Sequence, residues 1–318
     1  MEQEFPDLGD DRPPQPSDRP EPAAVEVEPA AALGVTPACG CGGGGAAPAA
    51  GAATGGGRAT PVSPSHVYAI GQVDFHIPSL EIEKEIAQSV GRGEKVNLTD
   101  RQAVHAVLAQ PEYRYLARSL CYVLSVQGIE TYILRPADPF DLALLVEAVR
   151  PEPQPGDLDV VIGTRGPLAP PTLCNGLTLP VVDFEQIFSF DREEFVRAMP
   201  RPEQLPADRF EPAAAELMSR LMQLGDNAGD TDEHRAANYL LARYPRIYHK
   251  TVELFAAGCA LSAVDFRESP LGGARTIVDV VFSYTDRQTD VTEKQMVSVD
   301  VQGRHPFLVK KLSPYYDH

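Results

Sequence analysis

Apolar and polar positions alternate with period two in two C-terminal stretches. Val278, Val280 and Phe282 interleave with Asp279, Val281 and Ser283, and Val297, Val299 and Val301 interleave with Ser298, Asp300 and Gln302. Successive side chains of a strand point to opposite faces, so the pattern predicts an antiparallel hairpin with one apolar face and a polar tip over Thr285–Glu293. Leu261–Arg267 and Pro306–Leu312 predict a further strand on either side. Ahead of them the spacing turns helical and predicts helices over roughly 210–224, 232–243 and 246–258.

The preceding half mixes the two periods. Val67–Ile70 reads as a short strand ended by Gly71, and Leu80, Ile82, Ile86 and Val90 as a helical stripe ended by Gly91. Thr99 with Gln102 is a capping box ahead of Val104, Val107 and Leu108, and Pro111 opens a second short helix. Cys121–Val126 and Ile129–Leu134, separated by Gln127-Gly128, read as a tight hairpin or a bent strand. Asp138 caps a helix that Pro139 opens, Leu158–Gly163 and Leu179–Phe184 are strands, and Asp191 with Glu194 caps a helix through Met199. A Pro-rich joint follows over Pro200–Pro206. The expected fold class is α+β: an α/β-like subdomain at 66–200, and a helical and antiparallel-β subdomain at 204–318. No fixed-period repeat is present.

Composition adds a third region. Residues 1–65 are dominated by Pro, Ala, Gly and acids, with too little apolar surface to offset ordering, and read as a disordered acidic tether. The chain carries a net charge of −17, which disfavours phosphate backbones and anionic membranes, so no nucleic-acid or membrane partner is expected. No apolar stretch is long enough to span a bilayer, and the acidic start Met1-Glu2-Gln3-Glu4 is unlike a secretory signal. Five cysteines, an odd number, argue against a disulfide scaffold and for reduced thiols in a cytoplasmic protein. Cys39 and Cys41 on a glycine run lack a second ligand pair for zinc, and no cofactor is expected.

Candidate chemistry is sparse. His249 and Glu253 lie one turn apart, a spacing open to metal binding, but no third ligand is evident. Asp230, Asp232, Glu233 and His234 gather at a helix start with Thr231 as N-cap, where the dipole and capping explain them. A buried ion pair explains Arg235, and recognition of a peptide C-terminus is the sharper alternative. Cys121 and Cys259 read as core residues, whereas Cys174 sits in a loop with no histidine marked out to activate it. Gly163-Thr-Arg-Gly166 after a strand is a weak hint of a phosphate loop, without the Walker lysine. Tyr239, Tyr244, Tyr248, Tyr284, Tyr315 and Tyr316 are open to core filling or to an aromatic peptide-binding face.

Three C-terminal motifs carry a family resemblance: Asn238–Tyr248, Phe282–Lys294, and the ending Pro306–Asp317. They resemble the C-terminal domain, of unassigned activity, of the cyanobactin-maturation proteins PatG and PatA. Val67–Gln72 and Thr131–Pro136 fit the family more loosely. In that family the domain commonly follows a subtilisin-like protease, but this chain has no segment of that size and no Asp…His…Ser order in the expected glycine-rich contexts. The resemblance therefore implies a non-catalytic accessory module in the maturation of ribosomally made peptides. Its expected partner is a precursor peptide or a peptide-modifying enzyme. The expected contact residues are Arg235, Tyr239, Tyr284, Tyr315 and Tyr316, with Asp290 and Glu293 at the hairpin tip. Two alternatives stand beside it: an enzyme with a site between the two subdomains, and a homodimerisation domain.

Overall fold

Five strands of the first half close on themselves. The computed structural model describes residues 65–91, 99–200 and 206–316. The expected tether with Cys39 and Cys41, and the final Asp317 and His318, lie outside the described residues. The barrel is built from β1 (Ser65–His76), β2 (Cys121–Val126), β3 (Ile129–Pro136), β4 (Asp157–Leu168) and β5 (Pro180–Asp191), in the order β1-β2-β3-β5-β4 with β4 returning to β1. All pairs are antiparallel except β3 with β5. Four helices are interleaved with these strands: α1 (Leu80–Gly91), α2 (Asp100–Leu108), α3 (Arg114–Ser119) and α4 (Leu142–Ala148). The interleaving is what made this half read as α/β.

Closure depends on a bend that sequence patterning mistakes for an end. β1 pairs with β4 through Gly71 and with β2 from Gln72 onward. A Cβ at Gly71 would lie 2.3 Å from the Ser125 carbonyl oxygen, so only glycine lets the strand change neighbours there. The Gln127-Gly128 turn is a tight hairpin, both residues having positive φ of 52° and 80°. Gly163–Gly166 is part of β4 and paired with β5, which corrects the phosphate-loop expectation. Alternate residues meet in two layers. Val67, Ala69, Leu124, Tyr132 and Val182 pack with Ile86, Val107, Leu116 and Leu145 of the four helices. Tyr68, Ile70, Val160 and Ile162 face the other way.

That second layer is where the rest of the chain packs. α5 (Arg192–Ala198), α6 (Ala207–Met222), α7 (Asp232–Arg243) and α8 (Arg246–Ala256) lead into a sheet ordered β6-β7-β8-β9. Its strands are β6 (Cys259–Glu268), β7 (Ile277–Asp286), β8 (Thr292–Asp300) and β9 (Phe307–Tyr315). Phe210, Leu217, Leu240, Val280 and Val297 join Tyr68 and Val160 in a single core cluster. A polar joint fixes α7 on β1: Asn238 Nδ2 donates to the Tyr68 carbonyl at 2.8 Å, and the Tyr68 amide donates to the Gly229 carbonyl at 2.8 Å. Gly229 has φ +75°, and a Cβ there would lie 2.4 Å from the Tyr68 oxygen.

The hairpin departs from its pattern in one respect. Residues Ile277–Tyr284 of β7 are buried on both faces, not one. Asp279 and Ser298 are shut away as a pair, with Ser298 Oγ donating to Asp279 at 2.5 Å, so each polar side chain satisfies the other.

Candidate functional site

The predicted contact residues do not converge. Arg235 is buried and donates to the Val301 carbonyl at 2.5 Å and to that of Gly303, with Asp232 3.5 Å away. Burial pulls its pKa down and Asp232 opposes this. It ties α7 to the end of β8 through its two terminal nitrogens, while its buried Nε has no hydrogen-bond partner among the described residues. Tyr284 is buried with its hydroxyl 2.7 Å from Thr251 Oγ1, and burial pushes its pKa up to about 12. Tyr239 meets Tyr68 edge-on, ring centroids 6.4 Å apart. Only the hairpin and edge-strand residues face outward. Asp290 occupies the turn with φ 55°, and Tyr315 accepts from Arg267 at 2.9 Å. Tyr316 is 74% exposed.

Glu293 lines a polar cleft of about 440 Å³ between α8 and the β8–β9 edge, with Lys250, Glu253 and Gln295. Lys250 lies 3.6 Å from Glu293 and 3.8 Å from Glu253, so one ammonium is shared between two carboxylates. His249 turns its Nε2 to the Pro200 carbonyl. Among the described residues no group of three or more His, Cys, Asp or Glu is placed to hold a metal ion.

The convergent site lies in the barrel half, around Cys174. Cys174 is bonded to Cys121, with their Cα atoms 5.3 Å apart, which corrects the expectation of reduced thiols for this pair and of a free Cys174, while Cys121 is buried as expected of a core residue. The bond forms because the short turn at Cys174–Gly176 folds back on the barrel's outer surface. There it packs with Val123, Ile133, Ala169 and Val181 over the start of β2. The turn is held against its own preference: Cys174, Asn175 and Gly176 have φ of 50°, 53° and 88°.

Two cavities meet at this turn. One, of about 310 Å³, is walled by Leu120, Tyr122, Leu145, Leu173 and Val181, with Arg118 at its rim. Pro139 also lines it; Leu173 is 42% exposed, and Phe140, which follows Pro139 in the chain, is 81% exposed. The other, of about 410 Å³, is polar and holds His76, Glu130, Cys174 and Asn175. His76 Nε2 is 2.6 Å from Glu130 Oε1, and His76 is the direct cross-strand partner of Cys121. A third groove, of about 440 Å³ between α2, α3 and α4, shares Leu142 with the apolar cavity and carries Arg114. Arg114 and Arg118 lie one helical turn apart, with no ion-pair partner among the described residues.

Sequence reasoning singled out neither His76 nor the arginine pair. His76 reaches Cys121 only through the β1–β2 pairing, more than forty positions along the chain, and the one local cue was the Pro-rich surround of Cys174. Among the described residues no helix is long and apolar enough to cross a membrane.

A family model described as the PatG Domain matches residues 66–262. A solved structure described as "PatG Domain of Unknown Function" is similar in fold, with a TM-score of 0.61 and 18% sequence identity, over 79% of this chain and 99% of that one. At that identity the likeness is one of fold alone. No curated protein matches the chain.

Proposed function

This chain belongs to the PatG domain family, and on that premise we propose that it is a binding module that holds a peptide during the maturation of ribosomally made peptides. The surface that supports this is the Cys174 face, which lies wholly inside the matched span of residues 66–262. The observation that carries the reading is the apolar cavity of about 310 Å³, continued past Leu142 into the α2–α4 groove and edged by Arg118 and Arg114. Apolar walls with a few convergent charges are what a bound segment needs. The walls take side chains such as Leu, Val or Phe, and a forked guanidinium takes a carboxylate in two parallel hydrogen bonds. The expected ligand is therefore an extended peptide with apolar residues and an acidic residue or free C-terminus.

Calorimetric titration of the full chain with cysteine-free peptides of that composition tests it. Binding at micromolar concentration is expected, and it should weaken about tenfold or more in Leu173→Asp, a substitution at an exposed wall residue. No heat with any such peptide up to millimolar concentration contradicts the reading.

One observation favours a second docking surface. β9 is an edge strand whose Phe307 is 50% exposed and which runs into Tyr316. An open edge with apolar side chains can add a strand from a partner enzyme, although Lys310, Lys311 and Pro314 on β9 act against uncontrolled pairing.

A further inference from the structure

The wall of the proposed groove contains a bond that can exchange. Cys174 is buried, yet it lines both the apolar cavity and the polar cavity across its turn. Cys121 borders only the apolar one. On the polar side stands His76, opposite Cys121 in the β1–β2 ladder and held by Glu130 at 2.6 Å. A carboxylate only accepts hydrogen bonds, so with Glu130 ionised the contact is made by a hydrogen on His76 Nε2, and Nδ1 is the ring nitrogen that does not face Glu130.

We propose that Cys121–Cys174 is an exchange site that captures a cysteine-bearing peptide as a mixed disulfide on Cys174, with His76 carrying the proton and Glu130 positioning His76. The carrier of the thiol rests on the groove reading; the exchange itself does not. The incoming thiol gives its proton to His76 Nδ1, and the resulting thiolate attacks Cys174 Sγ. A new S–S bond forms between substrate and Cys174 as the Cys121–Cys174 bond breaks, and the electron pair leaves on Cys121 Sγ, which takes the proton back from His76. Sulfur is neither oxidised nor reduced overall, so no external oxidant is needed. The reverse attack by Cys121 releases the peptide. Freed from Cys121, the turn at Cys174 can relax from its left-handed backbone, which favours the captured state.

The test uses the full chain with Cys39, Cys41 and Cys259 replaced by serine, oxidised and then exposed to millimolar reduced glutathione near neutral pH. Acid quenching, alkylation and peptide mapping locate the products. The expected result is a glutathione adduct on Cys174 and a free thiol on Cys121. The adduct should persist in Cys121→Ser after treatment with oxidised glutathione, because nothing remains to resolve it. His76→Gln should slow adduct formation by about tenfold or more and flatten its pH profile, and Glu130→Gln should slow it less. A disulfide that stays intact for hours overturns the proposal, as does an adduct on Cys121 alone, or a His76→Gln rate equal to that of the parent. The first mapping leaves Cys121, Cys174, His76 and Glu130 unsubstituted, so misfolding of a variant at any of them does not touch its result. A peptide with one cysteine, run beside glutathione, separates the two claims. Equal rates remove the groove as its carrier while leaving the exchange standing, and a faster peptide supports both.

Discussion

The two halves of the molecule place their polar and aromatic residues in opposite ways. In the helical and hairpin half, the side chains that look made for binding turn inward. Arg235 is consumed by two backbone carbonyls, Tyr284 by Thr251, and Tyr248 by the Leu241 carbonyl at 2.9 Å. In the barrel half a plain Pro-rich loop closes over the β2 strand and draws a disulfide, a histidine–carboxylate pair and two arginines to one face. Motif density in a sequence thus marks where a fold is specified. Convergence in space marks where it can act.

Removing the crosslink should give the largest effect on this comparison. Replacing Cys121 and Cys174 by alanine frees a loop with sequence separation 53 in the unfolded chain, for a loss of about 4 kcal/mol in the chain-entropy model. Urea unfolding measures it, and a loss under about 1 kcal/mol would mean that the turn is held by its apolar contacts instead. Next comes Arg235→Ala, which strands the carbonyls of Val301 and Gly303. About 3 kcal/mol is expected. Arg118→Ala, by contrast, should stay within about 0.5 kcal/mol of the parent while weakening peptide binding. Tyr284→Phe should cost about 1 kcal/mol for its single buried hydrogen bond, and Tyr316→Ala close to none.

The smallest effect concerns pH. The His66 pKa is held below its ordinary 6.5 first by burial, then by Arg235, Arg304 and His305. The folded state therefore binds its proton less readily than the unfolded state. Its contribution is fully present above the ordinary histidine value and is lost as pH falls from there toward the lowered folded value. A His66→Gln variant should show a shallower drop in urea midpoint across that interval, and an unchanged slope would remove His66 as the cause.

Local signals were legible and distant ones were not. The Thr99–Gln102 capping box makes both of its hydrogen bonds, Asp191 accepts from Glu193 and Glu194, and Thr231 caps α7 as its sequence suggests. These features are decided within three or four residues. The closure of β1 on β4, with Val67 beside Gly163, is a tertiary event that no local period encodes, and Gly71 looked like a strand end because its bend serves that closure. The Cys121–Cys174 bond was hidden for the same reason, and the odd cysteine count argued the wrong way. Asp279 and Ser298 read as a solvent face because polarity was taken for exposure, whereas polar groups bonded to each other can be buried. The family was visible in the C-terminal motifs, while the family model rests on residues 66–262, where the Cys174 face lies.

The most direct test places the two regions against each other in one binding experiment. Fluorescence anisotropy of a labelled cysteine-free apolar peptide is followed with the parent chain, Leu173→Asp and Tyr316→Asp, both substitutions being at exposed positions. The predicted result is a loss of affinity of about tenfold or more for Leu173→Asp and less than about twofold for Tyr316→Asp. The reverse ordering would contradict a binding surface at Cys174 and move it to the C-terminal edge strand.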